Sequence, residues 1–429
     1  MSASPSTVSV AAATPNRSLQ LTLGVIAMMA ISSPQYVWAL FVPAMREGLG
    51  VALAPLQTTI AIFSVCMCGL GPIHGYLAQR FSARAFIAIG GLLSGLGWVL
   101  SAYVTSLPVL YVTYGIITGI GVGMVFVAVS DNAAQWFPDR RGFAVGMVAG
   151  SYGFGAVVTT FPIDAAIKSG GYRYALQVYG AVLAITCIVA ALGLRKRTAT
   201  DVVPAAPVTA SSSKHSFTPG EMLREPAYWL IFLMMTLVGT GGLMVISQIA
   251  VFARSFGITP TVLVMGVSAL PLALTLDRIA NGFTRPLFGW ISDHLGRENT
   301  MGLAFTMEAV SILLLMQLGA RPALFVVLSA IVFLGWGEIF SLFPATQADM
   351  FGPKHQATNL GFLLISIAVA SVFGGPLASL VFERTGSWTP VFLIVSGLDF
   401  VAAALALFVL KPLRRNWAAR RPAAAQMTA

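Results

Sequence analysis

Charge is what this sequence has least of. Asp, Glu, Lys and Arg make up 9% of its 429 residues while 57% are hydrophobic, against about 25% charged residues in soluble domains. With a mean hydropathy of +0.83, the composition excludes a soluble globular fold and makes lipid the solvent for most of the chain. Cysteine is equally sparse. Cys66, Cys68 and Cys187 all lie inside apolar runs, where they read as small buried hydrophobes, so neither a disulfide framework nor a thiolate metal set is available. No Gly-Lys-Ser/Thr triplet occurs, which removes a phosphate-binding loop for ATP. No His, Cys and Asp residues fall at metal-ligand spacing, and no nucleophile stands with a recognisable base, so neither an enzyme nor a cofactor is expected. A membrane sensor with a sizeable extramembrane domain is excluded too, because the longest polar stretch is only residues 195–227.

What is present is a series of apolar runs, at residues 18–42, 52–77, 85–104, 107–130, 143–164, 174–194, 228–253, 260–290, 300–319, 322–346, 360–382 and 388–410. Each is about 20 residues or more, enough for a helix to cross ~30 Å of hydrocarbon. The reading is an all-α membrane protein of twelve transmembrane helices. Residues 1–17 form a Ser/Ala/Thr/Pro-rich tail expected to be disordered, and without a basic segment ahead of a short apolar core a cleaved signal is not expected. Residues 195–227 are a polar linker between two sets of six spans, 18–194 and 228–410, and 411–429 are a basic tail. Within the linker, Thr218-Pro219-Gly220-Glu221 has the pattern of a helix start and predicts a short surface helix, Glu221 to Arg224.

The net charge of +10 is scattered through short loops, which argues against nucleic acid and for membrane orientation. With both termini on one side, seventeen basic residues fall on that side and six on the other. The positive-inside rule then places both termini in the cytoplasm, with the chain in an inner (plasma) membrane, in contact with lipid and as a monomer.

The two sets of six repeat one another. Gly75-Tyr-Leu-Ala-Gln79-Arg80-Phe-Ser-Ala-Arg84 lines up with Gly289-Trp-Ile-Ser-Asp293-His-Leu-Gly296-Arg297-Glu298, and Pro138-Asp139-Arg140-Arg141 with Gly146 answers Pro353-Lys354-His355 with Gly361. Two matched bundles with a polar site between them at mid-depth is a rocking-bundle transporter architecture. Arg80, Arg84, Asp139, Arg141, Asp293 and Arg297 are therefore expected to gate conformational change, with Asp131 and Asp349 joining the loop charges that lock one state.

Span eight concentrates the charge. Asp277, Arg278 and Arg285 stand where hydrocarbon would not accept them, and Arg278, Asn281, Gly282 and Arg285 share one helical stripe, on which Asn281 is expected to touch substrate beside Arg285. Arg285 offers a planar fork to a carboxylate. It lies eight residues from Asp277, ~12 Å along the helix axis, so a direct ion pair between them is awkward. Asp277 and Glu338, the latter in Gly335-Trp336-Gly337-Glu338 of span ten, are the proton-coupling candidates, since a carboxyl in a low-dielectric cavity can load and release a proton. Glu308 and Asp399 stand alone in spans nine and twelve and read as helix-packing groups. The Gly-rich runs 119–123 and 150–155 signify close helix packing.

The sequence resembles the major facilitator superfamily, whose loop signature Gly-x-x-x-Asp-x-x-Gly-Arg stands in full at Gly289, Asp293, Gly296 and Arg297, with Gln79 at the acidic position of the N-terminal copy. Within it the chain looks most like the oxalate/formate antiporter group, a neighbour of the monocarboxylate transporters. The matching segments are Gln35-Tyr36-x-Trp38, Trp136-Phe137-Pro138-Asp139-x-Arg141-Gly142, Gly220-Glu221-Met222-Leu223-Arg224, Asn281-Gly282-x-x-Arg285-Pro286, Trp336-Gly337 and Phe343-Pro344-x-Thr346. The resemblance implies that Arg285 is the cation for the substrate carboxylate, with Gln35, Tyr36, Gln57, Phe126, Trp336 and Phe340 lining the same central cavity. Where the dicarboxylate exchanger of this group places a lysine in span eleven, this chain has Ile367; two cavity tyrosines are here Phe126 and Phe340, and an aromatic is Leu364. The expected function is secondary transport of small organic anions, monocarboxylates first, by proton symport or exchange for a counter-anion. The alternative is efflux of lipophilic drugs on the same fold.

Overall fold

The computed structural model describes residues 16–198, 201, 203–204, 216–259 and 261–415; the expected N-terminal tail, most of 199–215 and the chain from 416 lie outside them, apart from Asn16 and Arg17. Twelve helical crossings run in order. Span one comprises Arg17–Ala30, Ser33–Tyr36 and Trp38–Leu49, and span two Leu53–Ser64, Val65–Gly69 and Gly71–Arg80. Span three is Ala83–Ser101 and span four Leu107–Trp136. Spans five and six lie within Arg141–Gly193, divided at Gly171, whose φ of 81° no L-residue adopts comfortably. Spans seven to nine are Pro226–Ser255, Ala269–Leu295 and Arg297–Leu318. Pro322–Phe351, Gln356–Thr385 and Thr389–Arg415 complete the set.

By length and composition eight helices among the described residues suffice to cross a bilayer, or ten if each bent pair in spans one and two is one crossing. Two differences make up twelve: five and six are hydrogen-bonded as one helix, and span eight holds three charges at mid-length. The hydrophobic core divides accordingly. The buried residues of two clusters belong to the second half, Cys68 of span two packing against one of them, and those of a third to the first half. A fourth, in the first half, also takes in Ala357, Leu360 and Leu364 of span eleven. Large apolar side chains such as Phe161 and Phe408, both about three-quarters exposed, face outward, as a lipid-solvated surface requires.

Span eight begins later than its apolar run suggests. Residues 263–268 form a short antiparallel hairpin, Leu263 opposite Ser268 and Val264 opposite Val267. Its turn is Met265-Gly266, with φ of 53° and 80°. Two successive left-handed residues close a tight hairpin whose twist matches its strands, and β-branched neighbours favour extension over helix. The surface helix in the linker is Pro219–Met222, starting and ending two residues earlier than expected, with the capping box between Thr218 and Glu221 in place.

The described parts of the linker are clipped to the two halves. Arg195 stacks over Trp136 at 4.8 Å and grips Asp201 with two hydrogen bonds of 2.7 and 2.8 Å. That grip holds the Asp201 carboxyl well below the usual carboxylate range. On the other side, the Phe217 amide donates to the Phe351 carbonyl at 2.8 Å and Asn359 donates to the Phe217 carbonyl at 3.1 Å.

At the end carrying loops 80–84, 138–141, 293–297 and 352–356, two unlike seams join the halves. One is charged. Asp349 of span ten accepts from Arg141 of span five at 2.6 Å and from Arg297 at 3.0 Å. Arg297 also donates to Asp293 at 2.6 Å. The Asp293 carboxylate accepts the Gly142 and Phe143 amides, at 3.0 and 2.9 Å, at the N-terminus of span five, where the helix dipole favours an anion. The other seam is backbone on backbone. A Cβ on Gly71 would stand 2.6 Å from the Gly361 carbonyl oxygen, and Gly75 packs as closely on Ala357. At the 214–215-residue repeat offset, Asp293, Asp349 and Arg141 are answered by Gln79, Gln135 and Gln356, so the glycine seam has no ionic counterpart.

Candidate functional site

Interrupted helices reach the centre from both halves, two from the first and span eight from the second. Span one is broken around Pro34, which lacks an amide hydrogen. The Pro34 carbonyl that the break releases is satisfied by the Tyr114 hydroxyl at 2.7 Å. That break turns Gln35 and Tyr36 inward. Span two widens into a π-helical turn at Val65–Gly69, a device frequent at functional sites, and then bends by 48°, presenting Met67 and Cys68. Span eight carries Pro286 immediately after Arg285, which frees a carbonyl one turn back, at Gly282. The facing helix approaches there without side chains: Gly150 meets Gly282, and Gly146 meets the Arg285 carbonyl.

Between them lies a cavity of about 300 Å³. Its lining includes Gln35, Tyr36, Phe126, Asn281, Arg285, Trp336 and Phe340, seven of the eight residues expected to touch substrate. Gln57 is not among them. It is exposed and its Oε1 accepts from the Trp38 indole N–H at 2.8 Å, so it serves the outer part of span one. Tyr152, not anticipated, is central: its hydroxyl donates to Gln35 Oε1 at 2.6 Å, and its ring lies edge-on to Tyr36 at 5.5 Å and to Phe126 at 5.6 Å. Its Gly-rich surroundings, 150–155, pointed only to packing. Across the cavity Trp336 stands edge-on to Phe340 at 5.8 Å, and Gly242 leaves no room for anything but the Trp336 indole.

The charges in the lining are Asp277, Arg278 and Arg285. Arg285 is 1% exposed. Its Nη2 donates to Asn281 Oδ1 at 3.2 Å, its Nη1 to the Ala149 carbonyl of the opposite half, and its guanidinium lies 4.6 Å over the Phe340 ring. Among the described residues no acid pairs with it. The partners are an amide, a carbonyl and a ring; Glu338, behind Gly337, acts on the guanidinium only at a distance, so a buried positive charge faces the cavity with no acid in contact with it. Such a charge is costly until an anion arrives.

Asp277 lines the cavity, 1% exposed, with the Ser329 side chain of span ten and Arg278 as its polar neighbours. Glu338 does not reach the cavity. It is fully buried at the start of Ile339–Phe351, behind Gly337, which packs on Asn281. Glu308 and Asp399 are likewise fully buried and without hydrogen-bond partners among the described residues, and Gly335 packs directly on Glu308. Of the expected gating residues, Asp293, Arg297 and Arg141 meet around Asp349. Arg80 instead stacks on Tyr76 at 4.5 Å, Asp139 pairs with Arg17 at 2.7 Å, and Arg84 is exposed on the surface. Asp131 accepts from Gln135 at 2.6 Å and stays outside the charged seam.

The sequence signature of the Major Facilitator Superfamily matches residues 21–277 and 271–426. The chain belongs to the major facilitator superfamily. It is thus a multi-pass membrane transporter and not an enzyme. This transporter is 34% identical over 401 residues to the oxalate:formate antiporter of Oxalobacter formigenes, covering 93% of each chain. It is 23% identical over 376 residues to monocarboxylate transporter 12 of Xenopus laevis, covering 82% of this chain and 79% of that one. In fold it is similar to the human organic anion transporter MFSD10 (TETRAN), with a TM-score of 0.70 at 12% identity over 91% of this chain and all of that one.

Proposed function

We propose that the transporter carries small organic anions with a single carboxylate, exchanging one for another by alternating access across the plasma membrane, with both termini in the cytoplasm. The observation that carries this reading is the unpaired guanidinium of Arg285 in an aromatic-walled cavity of about 300 Å³. A carboxylate supplies the missing counter-charge through a two-pronged, charge-assisted contact. The phenyl and indole faces suit the apolar body of the acid. Ile367 lines the wall where a second cation would serve a dicarboxylate.

Coupling follows from the bond between Arg285 and the Ala149 carbonyl, which ties one half to the other. An incoming carboxylate competes for the same Nη1 donor, so occupancy loosens a bond across the interface that the empty carrier keeps. A carrier that rocks only when loaded is an exchanger. Asp277, buried in the cavity wall beside Ser329 and Arg278, supports a second reading in which a proton replaces the counter-anion; Glu338 would serve the same end from behind Gly337.

The test is uptake into proteoliposomes of labelled formate, lactate and oxalate, with and without internal carboxylate and with a pH dye inside. Uptake that needs internal carboxylate and leaves the internal pH unchanged is expected. Uptake into anion-free vesicles with acidification selects proton symport, whereas transport of a neutral dye that carboxylates do not inhibit overturns carboxylate recognition in favour of drug efflux.

A further inference from the structure

Arg278 is the one cavity charge that the transport reading leaves unused. It stands seven residues before Arg285 on the same helix, about two turns, which puts both on one face with a rise of ~10.5 Å between them. Span eight runs toward the joined end, its close contacts with the opposite half extending from Gly289 back to Gly282, so exposed Arg278 lies beyond them, on the side of the cavity away from the seal. The two differ in surroundings. Arg285 is buried and held by Asn281 and Ala149, while Arg278 is exposed although it lines the cavity. Arg278 makes no hydrogen bond or ion pair among the described residues. Its neighbour Asp277 is turned into the wall at 1% exposure and attracts it without forming an ion pair with it. Among the described residues the only other charge in the lining is the like-charged Arg285.

We propose that Arg278 is an outer carboxylate-binding site, at which an incoming organic anion docks before passing one step inward to Arg285. The inference rests on the reading of Arg285 as the substrate cation. A solvated guanidinium at the mouth of a low-dielectric cavity raises the local concentration of anions and speeds their capture, an effect that salt suppresses. A buried cation alone would have to draw its anion from bulk through an apolar, aromatic throat. Two arginines in line divide that desolvation into stages: the first contact is made while the anion is still partly hydrated, the second after the aromatic walls have closed around its body. The outer site therefore acts on the approach, and the inner site on occupancy.

The experiment is initial-rate exchange of labelled lactate and formate in proteoliposomes of the full chain, at low and high ionic strength, for wild type, Arg278→Gln, Arg278→Lys and Arg285→Gln. Arg278→Gln is expected to raise KM about tenfold at low ionic strength with kcat within about twofold, the difference shrinking as salt screens the wild-type attraction. Arg278→Lys, which keeps the charge, is expected to recover most of the affinity. An unchanged KM in Arg278→Gln overturns the outer site. So does a loss confined to kcat, or one that neither salt nor lysine alters, because each is the mark of a structural role. Arg285→Gln is read separately: its loss of exchange supports the underlying transport reading, and normal exchange by Arg285→Gln removes that reading whatever Arg278 does.

Discussion

Replacing Arg285 by glutamine removes the charge while keeping a hydrogen-bonding side chain of moderate length. In the empty protein the arginine makes two hydrogen bonds and one cation–π contact, and loses its hydration to do so. The mutation therefore costs the fold little, since an unpaired buried charge disappears with the contacts it made. Binding is another matter. A carboxylate held by a two-pronged guanidinium gains two charge-assisted bonds, about 1.5–3 kcal/mol each, and glutamine replaces at most one with a neutral bond. A net loss of about 3–5 kcal/mol weakens binding by roughly two to nearly four orders of magnitude. Purified wild type and variant in matched liposomes, with labelled lactate outside and unlabelled lactate inside, give the comparison, and thermal unfolding in detergent shows that both are folded. Arg285→Lys should fall between them, keeping charge but losing the fork. Exchange by Arg285→Gln within threefold of wild type at equal KM would refute the reasoning.

Three further outcomes follow from the geometry. Ile367→Lys returns a cation to the cavity wall, and should let oxalate compete with lactate at least about tenfold more strongly, as one added charge-assisted contact predicts; competition curves measure it. Gly361→Val puts branched carbon where the Gly71 backbone now lies, so the sealed end cannot close. In a Cys66→Ser background, labelling of the cavity thiol Cys68 by an impermeant reagent from the outer side should slow severalfold as the outward-open population falls. Glu338→Gln keeps shape and removes a titratable group that does not touch the cavity. Carboxylate-for-carboxylate exchange should stay within about twofold, read by the same isotope assay, since no bond to the anion is altered.

Much of this architecture was legible in the sequence because bilayers leave so few options. Apolar length sets the crossings, and the charges of span eight had to face protein or water. The Asp277–Arg285 spacing correctly argued against a direct pair between them. The misses have local causes. Residues 260–268 are apolar enough to read as helix, but the left-handed pair Met265-Gly266 and its β-branched neighbours make a hairpin. Gln57 carries a polar group of the right kind at a plausible depth, yet depth alone does not say that Trp38 takes its oxygen. Tyr152 was hidden in a glycine-rich run whose packing meaning was correct and incomplete. Asp139 and Arg80 looked like gate charges because loop motifs do not specify partners; Arg17 and Tyr76 hold them instead.

The two seams at the sealed end are chemically unequal, and they need not part at the same moment. A competing ion can break the ion pairs of one margin; it has no purchase on glycine backbones pressed together at the other. Separation begun at the ionic margin would leave the glycine margin as the line about which the bundles turn, so a single chain built from near-copies of itself would open lopsidedly, like a book and not like a pair of tongs.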